Sequence, residues 1–261
     1  MPINITLTGG SGFIGSRLLT ILTNNDFNVL ALERKNPLLN IGANTKYKII
    51  GDFCDIIDWQ EHLIGTDCII HLANKAHLQK RSSADTYTKI NRDATLNLAL
   101  SAANLGIKRF IYISTIGVLG TSSSDTNVFN NNSEYDPQDN YSLSKMEAEI
   151  GLKKISKDFE MEIIVIRPPL VYGANAPGNF SRLLSLVDLD FPLPFKKMTE
   201  KKNMISLENL CDFITHCISS KLSSKYNAFV ISDDSEWSTA ELVSLISKYM
   251  KNKHSIHDHL L

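Results

Sequence analysis

The sequence has few cysteines, no long apolar run and almost no net charge, and each shortage excludes a class of protein. The four cysteines form no Cys-x-x-Cys pair, so we expect reduced thiols and no metal site. No apolar stretch approaches the roughly 18 residues that a membrane-spanning helix needs. The 27 basic and 28 acidic residues nearly cancel. No overall field therefore attracts nucleic acid or an anionic membrane surface.

A basic or cleavable apolar leader is also lacking, because an alternating apolar run begins at Ile3. We therefore expect a cytoplasmic protein. The chain of 261 residues is 43% hydrophobic, which suffices for one large α/β domain or for a domain with a smaller lobe.

A glycine-rich turn follows the first predicted strand. The run Thr8-Gly9-Gly10-Ser11-Gly12-Phe13-Ile14-Gly15 leads into a segment with Leu18 and Leu22 at helical spacing. A turn between a strand and a helix gathers backbone N–H groups at a helix N-terminus, where a pyrophosphate binds well. This context predicts dinucleotide binding more strongly than the glycine pattern alone would.

Strand-like and helical segments alternate through the first two thirds of the chain. This order predicts a doubly wound parallel sheet of the Rossmann type, covered by helices on both faces. The predicted strands are 3–7, 27–32, 47–50, 68–73, 109–114 and 161–166, and the predicted helices include 86–105 and 141–157. Residues 122–140 are predicted to form a loop, and 173–202 to form loops around one helix at 180–187.

A tyrosine and a lysine stand one helical turn apart in Tyr141-Ser142-Leu143-Ser144-Lys145. A nearby cation stabilises phenolate, so the pair predicts a tyrosine with a lowered pKa that acts as a general base on a sugar hydroxyl. Thr115 directly follows the fifth predicted strand, at the carboxyl edge of the sheet where ligands gather. We expect it to reach the same hydroxyl.

Seven motifs follow one another along the chain: the glycine-rich turn, Asp52, His71-Leu72-Ala73, Asn91, Ser114-Thr115, Tyr141-x-x-x-Lys145 and Arg167-Pro168. Together and in this order they resemble the extended short-chain dehydrogenases/reductases of the NAD-dependent epimerase/dehydratase family. The resemblance implies that Thr115, Tyr141 and Lys145 are catalytic. It also implies a set of residues along the cofactor: Gly9, Gly12, Phe13, Ile14, Gly15, Asp52, Phe53, Leu72, Ala73, Asn91, Tyr141, Lys145 and Pro168. For Asn91 and Asp52 the alternatives are a helix-bending asparagine and a turn-forming aspartate.

The choice between NAD and NADP depends on the end of the second predicted strand. Glu33 stands where a carboxylate accepts the adenosine ribose hydroxyls, which favours NAD. Arg34 and Lys35 follow at once and offer an alternative site for the 2′-phosphate of NADP. We expect NAD.

Within the family, the two residues after Thr115 limit which reactions are expected. Similar dehydratases carry an Asp-Glu pair there, whereas this chain has Ile116 and Gly117, so elimination of water is disfavoured. The stretch from Arg167 to Pro194 resembles a bacterial branch that includes 4-keto reductases of UDP-linked N-acetylhexosamines. The resemblance therefore implies 4-keto reduction of a UDP-hexose or UDP-N-acetylhexosamine in polysaccharide precursor synthesis, with 4-epimerisation as the first alternative.

The expected substrate contacts are Thr115, Asn179, Arg182 and Lys202, the last in place of an arginine that is usual in the branch. We expect residues 1–172 to form the dinucleotide-binding domain, with 203–222 packing back on it, and 173–261 to form a shortened substrate lobe. Similar proteins extend further past the equivalent of Lys248. A weakly active dinucleotide-binding protein is therefore the second alternative, and a homodimer stays open.

Overall fold

The computed structural model describes residues 2–35, 44–55, 58–76, 84–122, 128–188 and 200–257. Its main sheet has seven strands in the order β3-β2-β1-β4-β5-β6-β9. Every pair in that sheet is parallel. The predicted doubly wound parallel sheet is confirmed. Its strands are β1 (Ile3–Thr8), β2 (Phe27–Glu33), β3 (Thr45–Ile49), β4 (Cys68–His71), β5 (Arg109–Ile113), β6 (Glu162–Arg167) and β9 (Tyr226–Val230).

The helices cross between these parallel strands or follow them in the chain. They are α1 (Phe13–Thr23), α2 (Gln60–Leu63), α3 (Ala84–Tyr87), α4 (Ala94–Asn104), α5 (Asn140–Asp158), α6 (Asn179–Asp188), α7 (Leu207–Ser219) and α8 (Thr239–His257). Strand β1 lies between β2 and β4, so the chain order reverses beside it. A ligand site is expected at such a reversal, beyond the carboxyl ends of the strands.

The central strands are apolar along their whole length because helices cover both faces of the sheet. All four residues of β4 are buried, as are the last four of β5 and the last five of β6. Helix α1 turns Leu18, Leu19 and Leu22 inwards at helical spacing. The core fixes the strand ends, and therefore the residues that follow them.

The predicted helix 86–105 is present but is not a uniform α-helix. A π-helical turn at Thr88–Asp93 joins α3 to α4 and contains the buried Asn91. A π-turn inserts an extra residue into the helical hydrogen-bond ladder and is frequent at functional sites. Of the predicted loop 122–140, the described residues 128–139 contain neither helix nor strand. Residues 123–127 lie outside the described part.

A second sheet was not predicted from the sequence. It has three strands in the order β10-β8-β7, with β7 (Leu170–Tyr172), β8 (Lys201–Ser206) and β10 (Glu236–Ser238). The prediction of loops was wrong at 201–202, which begin β8, whereas 189–199 lie outside the described residues. Helix α8 starts with a capping box: the N–H of Glu241 donates to Ser238 Oγ at 3.1 Å, and the N–H of Ser238 donates to Glu241 Oε2 at 2.8 Å.

Two compact units divide the chain. The first contains residues 1–168 and 210–231, and the second contains 169–209 and 232–261. The first unit is discontinuous because β9, its last strand, comes after the first segment of the second unit. No helix in the described ranges is both long enough and apolar enough to cross a lipid bilayer.

Candidate functional site

The glycine-rich turn after β1 is a tight cradle. Gly9 has φ +75°, which favours glycine, and its carbonyl accepts from the N–H of Gly12 at 3.1 Å. A Cβ on Gly15 would collide with the carbonyl oxygen of Gly9, so only glycine lets α1 start this close to the turn. Phe13 and Ile14 form the first turn of α1 and are half-buried. The exposed Gly12 leaves the N-terminus of the helix open to a pyrophosphate.

Glu33 fits the ribose of a dinucleotide. The side chain is 2% exposed at the end of β2, and its Oε2 accepts from Ser11 Oγ at 2.7 Å. Its other oxygen, Oε1, is buried and has no hydrogen-bond partner among the residues that the structure describes. A buried carboxylate oxygen without a donor is costly unless a bound group satisfies it. This orphaned acceptor beside the glycine cradle is what the ribose hydroxyls of NAD require, whereas Arg34 is exposed.

The residues after β4 close one side of the cradle. The N–H of Leu72 donates to the carbonyl of Thr8 at 3.1 Å, which continues the sheet pairing beyond the strand. Ala73 lies directly against Gly9, where a Cβ on the glycine would come within 2.7 Å of the Ala73 nitrogen. Leu72 and Ala73 therefore lie beside the turn, and their contact with the cofactor stays a prediction.

Asp52 and Phe53 have local packing partners in the structure. The Asp52 carboxylate accepts from the N–H of Cys54 at 3.1 Å, as a turn-forming aspartate does. The Phe53 ring stacks on His71 at 5.2 Å and lies 4.6 Å from the Trp59 ring. The turn-forming alternative describes Asp52 as it stands, and the adenine contact stays a prediction.

The ends of β5 and β6 meet the start of α5. Thr115 caps the short 3₁₀ turn 116–119, where its Oγ1 accepts from the N–H of Gly117 at 3.2 Å. A Cβ on Gly117 would lie 2.6 Å from Ser142 Oγ in the first turn of α5. The carbonyl of Pro168 accepts from the N–H of Ile116 at 2.9 Å. The threonine is thus held close to the helix that carries the predicted tyrosine and lysine.

Lys145 is buried and donates from Nζ to the carbonyl of Ile113, at 2.8 Å. Burial lowers its pKa to about 7, although the Glu149 carboxylate opposes that shift. Its Nζ lies 6.0 Å from the Tyr141 ring centroid. The pKa of Tyr141 is raised, first by burial and then by Asp139 and Tyr87. The expected lowering of the tyrosine pKa is therefore wrong for these contacts, because desolvation outweighs a cation at this distance.

Asn91 connects two parts of the site. Its Oδ1 accepts from the N–H of Lys75 at 2.9 Å, and its Nδ2 donates to Ser144 Oγ at 3.1 Å. Ser144 Oγ in turn donates to the carbonyl of Tyr141 at 2.7 Å. The segment after β4 is therefore tied to the first turn of α5. Asn91 also lies in the π-turn, as the helix-bending alternative has it, and its contact with the cofactor stays a prediction.

The predicted substrate contacts other than Thr115 lie in the second unit. Arg182 is exposed on α6, and Lys202 is exposed on β8, where it pairs with Trp237 of β10. Asn179 begins α6. Their role toward a substrate stays a prediction.

Two residues of the site escaped the sequence analysis. Ser11 holds one oxygen of Glu33, and Ser144 links Asn91 to α5. Both stand inside the motifs that were used, but serine is common in turns and helix starts, so only the fold shows what each hydroxyl contacts. In the described ranges, no group of three His, Cys, Asp or Glu residues is arranged to hold a metal ion.

The fold and the site together define an NAD-dependent enzyme of the epimerase/dehydratase type. The chain belongs to the NAD-dependent epimerase/dehydratase family, whose model matches residues 5–188. The predictions of the family and of NAD as cofactor are confirmed.

Similar proteins include a UDP-glucose 4-epimerase of Vibrio cholerae, which is 36% identical over 93% of this chain and 74% of its own length. An N-acetyl-α-D-glucosaminyl-diphospho-ditrans,octacis-undecaprenol 4-epimerase of Escherichia coli O157:H7 is 26% identical over 97% of this chain and 74% of its own. Among solved structures, the UDP-glucuronic acid 4-epimerase of Bacillus cereus in complex with NAD has a TM-score of 0.84. The two chains are 23% identical, and the match covers 95% of this chain and 84% of the length of the epimerase. At this identity the likeness shows the fold alone.

Proposed function

We propose that the protein interconverts the two C4 epimers of a UDP-linked hexose or N-acetylhexosamine. The observation that carries the proposal is the position of Thr115 at a strand edge next to the helix that carries Tyr141 and Lys145. Ile116 and Gly117 follow it in place of the acid and base of a dehydratase. The added Cβ of any residue at Gly117 would meet Ser142 Oγ, so a glutamate would be poorly accommodated there. The names of the relatives favour epimerisation over the 4-keto reduction that the sequence suggested.

The chain's own residues would move one proton. Tyr141 takes it from the C4 hydroxyl and later returns it to the C4 oxygen, while Thr115 orients that oxygen. Lys145, held by the carbonyl of Ile113, supplies the nearby cation. The glycine turn, Glu33 and Ala73 would hold NAD, and the bound nicotinamide would supply reversible hydride exchange at carbon 4. Because burial raises the pKa of Tyr141, the positive charges of the loaded site must favour its phenolate.

The deciding experiment separates epimerase from reductase. The purified protein is given catalytic NAD with UDP-glucose, UDP-N-acetylglucosamine, UDP-glucuronic acid or N-acetylglucosaminyl-diphospho-undecaprenol, and the products are resolved by chromatography and mass spectrometry. We expect the 4-epimer of UDP-glucose or of UDP-N-acetylglucosamine to form without net consumption of cofactor, whereas an epimer of only one of the other two substrates would contradict the proposed substrate class. Stoichiometric consumption of NADH with a UDP-4-keto sugar, and no epimer, would overturn the proposal and support 4-keto reduction.

A further inference from the structure

A buried carboxylate behind the catalytic set has no part in the proton transfer described above. Glu149 lies on α5 one turn after Lys145 and is completely buried. Ser114 Oγ donates a short hydrogen bond to its Oε1. Its Oε2 accepts from Arg167 Nη2 at 2.6 Å and from Tyr135 Oη at 2.9 Å.

The partners of Glu149 come from separate elements of the first unit. Ser114 directly precedes Thr115 at the end of β5, and Arg167 is the last residue of β6. Arg167 is 3% exposed, so the ion pair is removed from water. A pair buried this deeply is costly to desolvate, and its attraction repays that cost only when the geometry is good. Its presence is therefore weak evidence that it stabilises the fold. Here the geometry ties one strand end to one helix.

We propose that Glu149 is a positioning residue, which fixes the strand end that carries Thr115 against the helix that carries Tyr141 and Lys145. The Ser114 hydroxyl is the contact that transmits this constraint, because it is adjacent to Thr115 in the chain. Arg167 pairs with the carboxylate, and this pairing offsets part of the cost of removing both groups from water. The proposal rests on the proposed function, since it names what holds the reacting groups at the distance the chemistry needs.

The same carboxylate acts on Lys145 through space. The titratable groups that face Glu149 are Lys145 on α5, Arg167 on β6, Tyr112 on β5, Tyr226 on β9 and Tyr135 in the loop before α5. Glu149 raises the pKa of Lys145 against the larger effect of burial. Removal of its charge is therefore expected to lower that pKa further.

The first test compares two single hydroxyl deletions that touch opposite oxygens of the carboxylate. Ser114→Ala removes the bond on the Thr115 side and is expected to lower kcat about tenfold, with KM and the Kd for NAD within about twofold of the original. Tyr135→Phe is the matched control. It removes one of the donors to Oε2, while the hydrogen bond from Arg167 to the same oxygen remains. Its kcat should therefore stay within about twofold of that of the original chain. An unchanged kcat in Ser114→Ala, or an equal loss in both variants, overturns the proposal.

The second test reads charge rather than activity. In NAD-supplemented protein labelled with ¹³C at lysine Cε, Lys145 is expected to titrate at lower pH in Glu149→Gln than in the original chain, and at unchanged pH in Tyr135→Phe. No shift in Glu149→Gln contradicts the electrostatic part. If Glu149→Gln does not fold, the Ser114→Ala and Tyr135→Phe pair decides. The lysine titration does not depend on turnover, so a failure of the proposed function is seen separately as the absence of any epimer.

Discussion

Glu33 offers one satisfied and one orphaned oxygen, and this asymmetry gives a test of cofactor choice. Glu33→Ala is expected to weaken NAD binding about tenfold or more and to improve the binding of NADP relative to NAD, because the acceptor and the repulsive charge are both lost. Calorimetric titration with each cofactor measures both effects. Ser11→Ala keeps the charge and removes only the donor to Oε2, so it should weaken NAD less and leave the preference unchanged. If both variants kept the same preference for NAD over NADP, contacts other than Glu33 would determine the choice of cofactor.

Tyr141 is expected to be the proton-transfer group. Tyr141→Phe should lower kcat by roughly a hundredfold or more, in line with the loss of a general acid/base. The Kd for NAD should stay nearly unchanged, because the phenol does not hold the pyrophosphate, which is expected to bind at the glycine turn. Steady-state kinetics with calorimetry on the same preparation measure the two quantities. Near-normal turnover in the variant would remove Tyr141 from the mechanism.

Asp139 both caps α5 and raises the pKa of Tyr141. Its Oδ1 accepts from the N–H of Ser142 at 2.7 Å, so Asp139→Asn keeps the cap and removes the charge. Ionisation of Tyr141 is expected to cause a rise of kcat with pH. In Asp139→Asn this rise should move to lower pH, because the charge that raises the tyrosine pKa is gone, and the melting temperature should stay nearly unchanged. Asp139→Ala should show the same shift and also lose about 1 kcal/mol of stability from the missing cap. A pH profile that stays in place in Asp139→Asn would contradict this assignment.

The sequence predicts individual residues well where a motif fixes the backbone, and poorly where a side chain must find a distant partner. Gly9 and Gly15 meet at the turn between strand and helix, because the strand–turn–helix order leaves one arrangement for them. The partners of Glu33 and of Glu149 are set by packing between elements, and no spacing in the chain encodes them. The pKa of Tyr141 depends on burial and was therefore missed as well.

At the scale of elements, the approach of the turn 116–119 to α5 depends on Gly117 and Ser142. Gly117→Ala places a Cβ 2.6 Å from Ser142 Oγ and should separate the turn from the helix, which lowers kcat about tenfold. The double variant Gly117→Ala, Ser142→Ala removes the clash and should recover most of that loss. Kinetics on the two variants, with Ser142→Ala alone as control, test the contact. No recovery in the double variant would mean that the added methyl group acts elsewhere.

Elements with strong patterns follow the sequence closely, and weakly patterned ones do not. The apolar runs of β1, β4, β5 and β6 predict buried parallel strands, and the structure places them within one or two residues. The three-stranded sheet has strands as short as three residues, too short for alternation to be visible. The π-turn is equally invisible, because it changes the hydrogen bonding of a helix without changing its apolar spacing.

At the scale of the whole molecule, His71 couples stability to pH. It is buried between Thr8 Oγ1 at 2.7 Å and Thr95 Oγ1 at 2.8 Å, and burial, with Lys145, lowers its pKa to about 3. The unfolded chain takes up a proton below pH about 6.5 while the folded chain does not, so stability falls as pH drops from 6.5 toward 3. At pH 5 this loss is about 2 kcal/mol.

Urea unfolding at pH 7.5 and pH 5 measures that loss directly. His71→Asn is the comparison, since asparagine keeps polar atoms for Thr8 and Thr95 but does not titrate. The original chain should lose about 2 kcal/mol more than the variant between the two pH values. An equal loss in both chains would show that other groups cause the acid sensitivity.

The discontinuity of the first unit bears on how the protein is made in the cell. Strand β6 pairs with β9, yet residues 169–209 of the second unit are translated between them. At ordinary rates of translation, β9 leaves the ribosome on the order of several seconds after β6. During that time the nascent chain carries β6 as an open edge, which is a template for pairing with other chains. Residues 169–209 must therefore be synthesised before β9 can complete the sheet of the first unit. During that interval the exposed edge of β6 is the part of the nascent chain that a chaperone would need to protect.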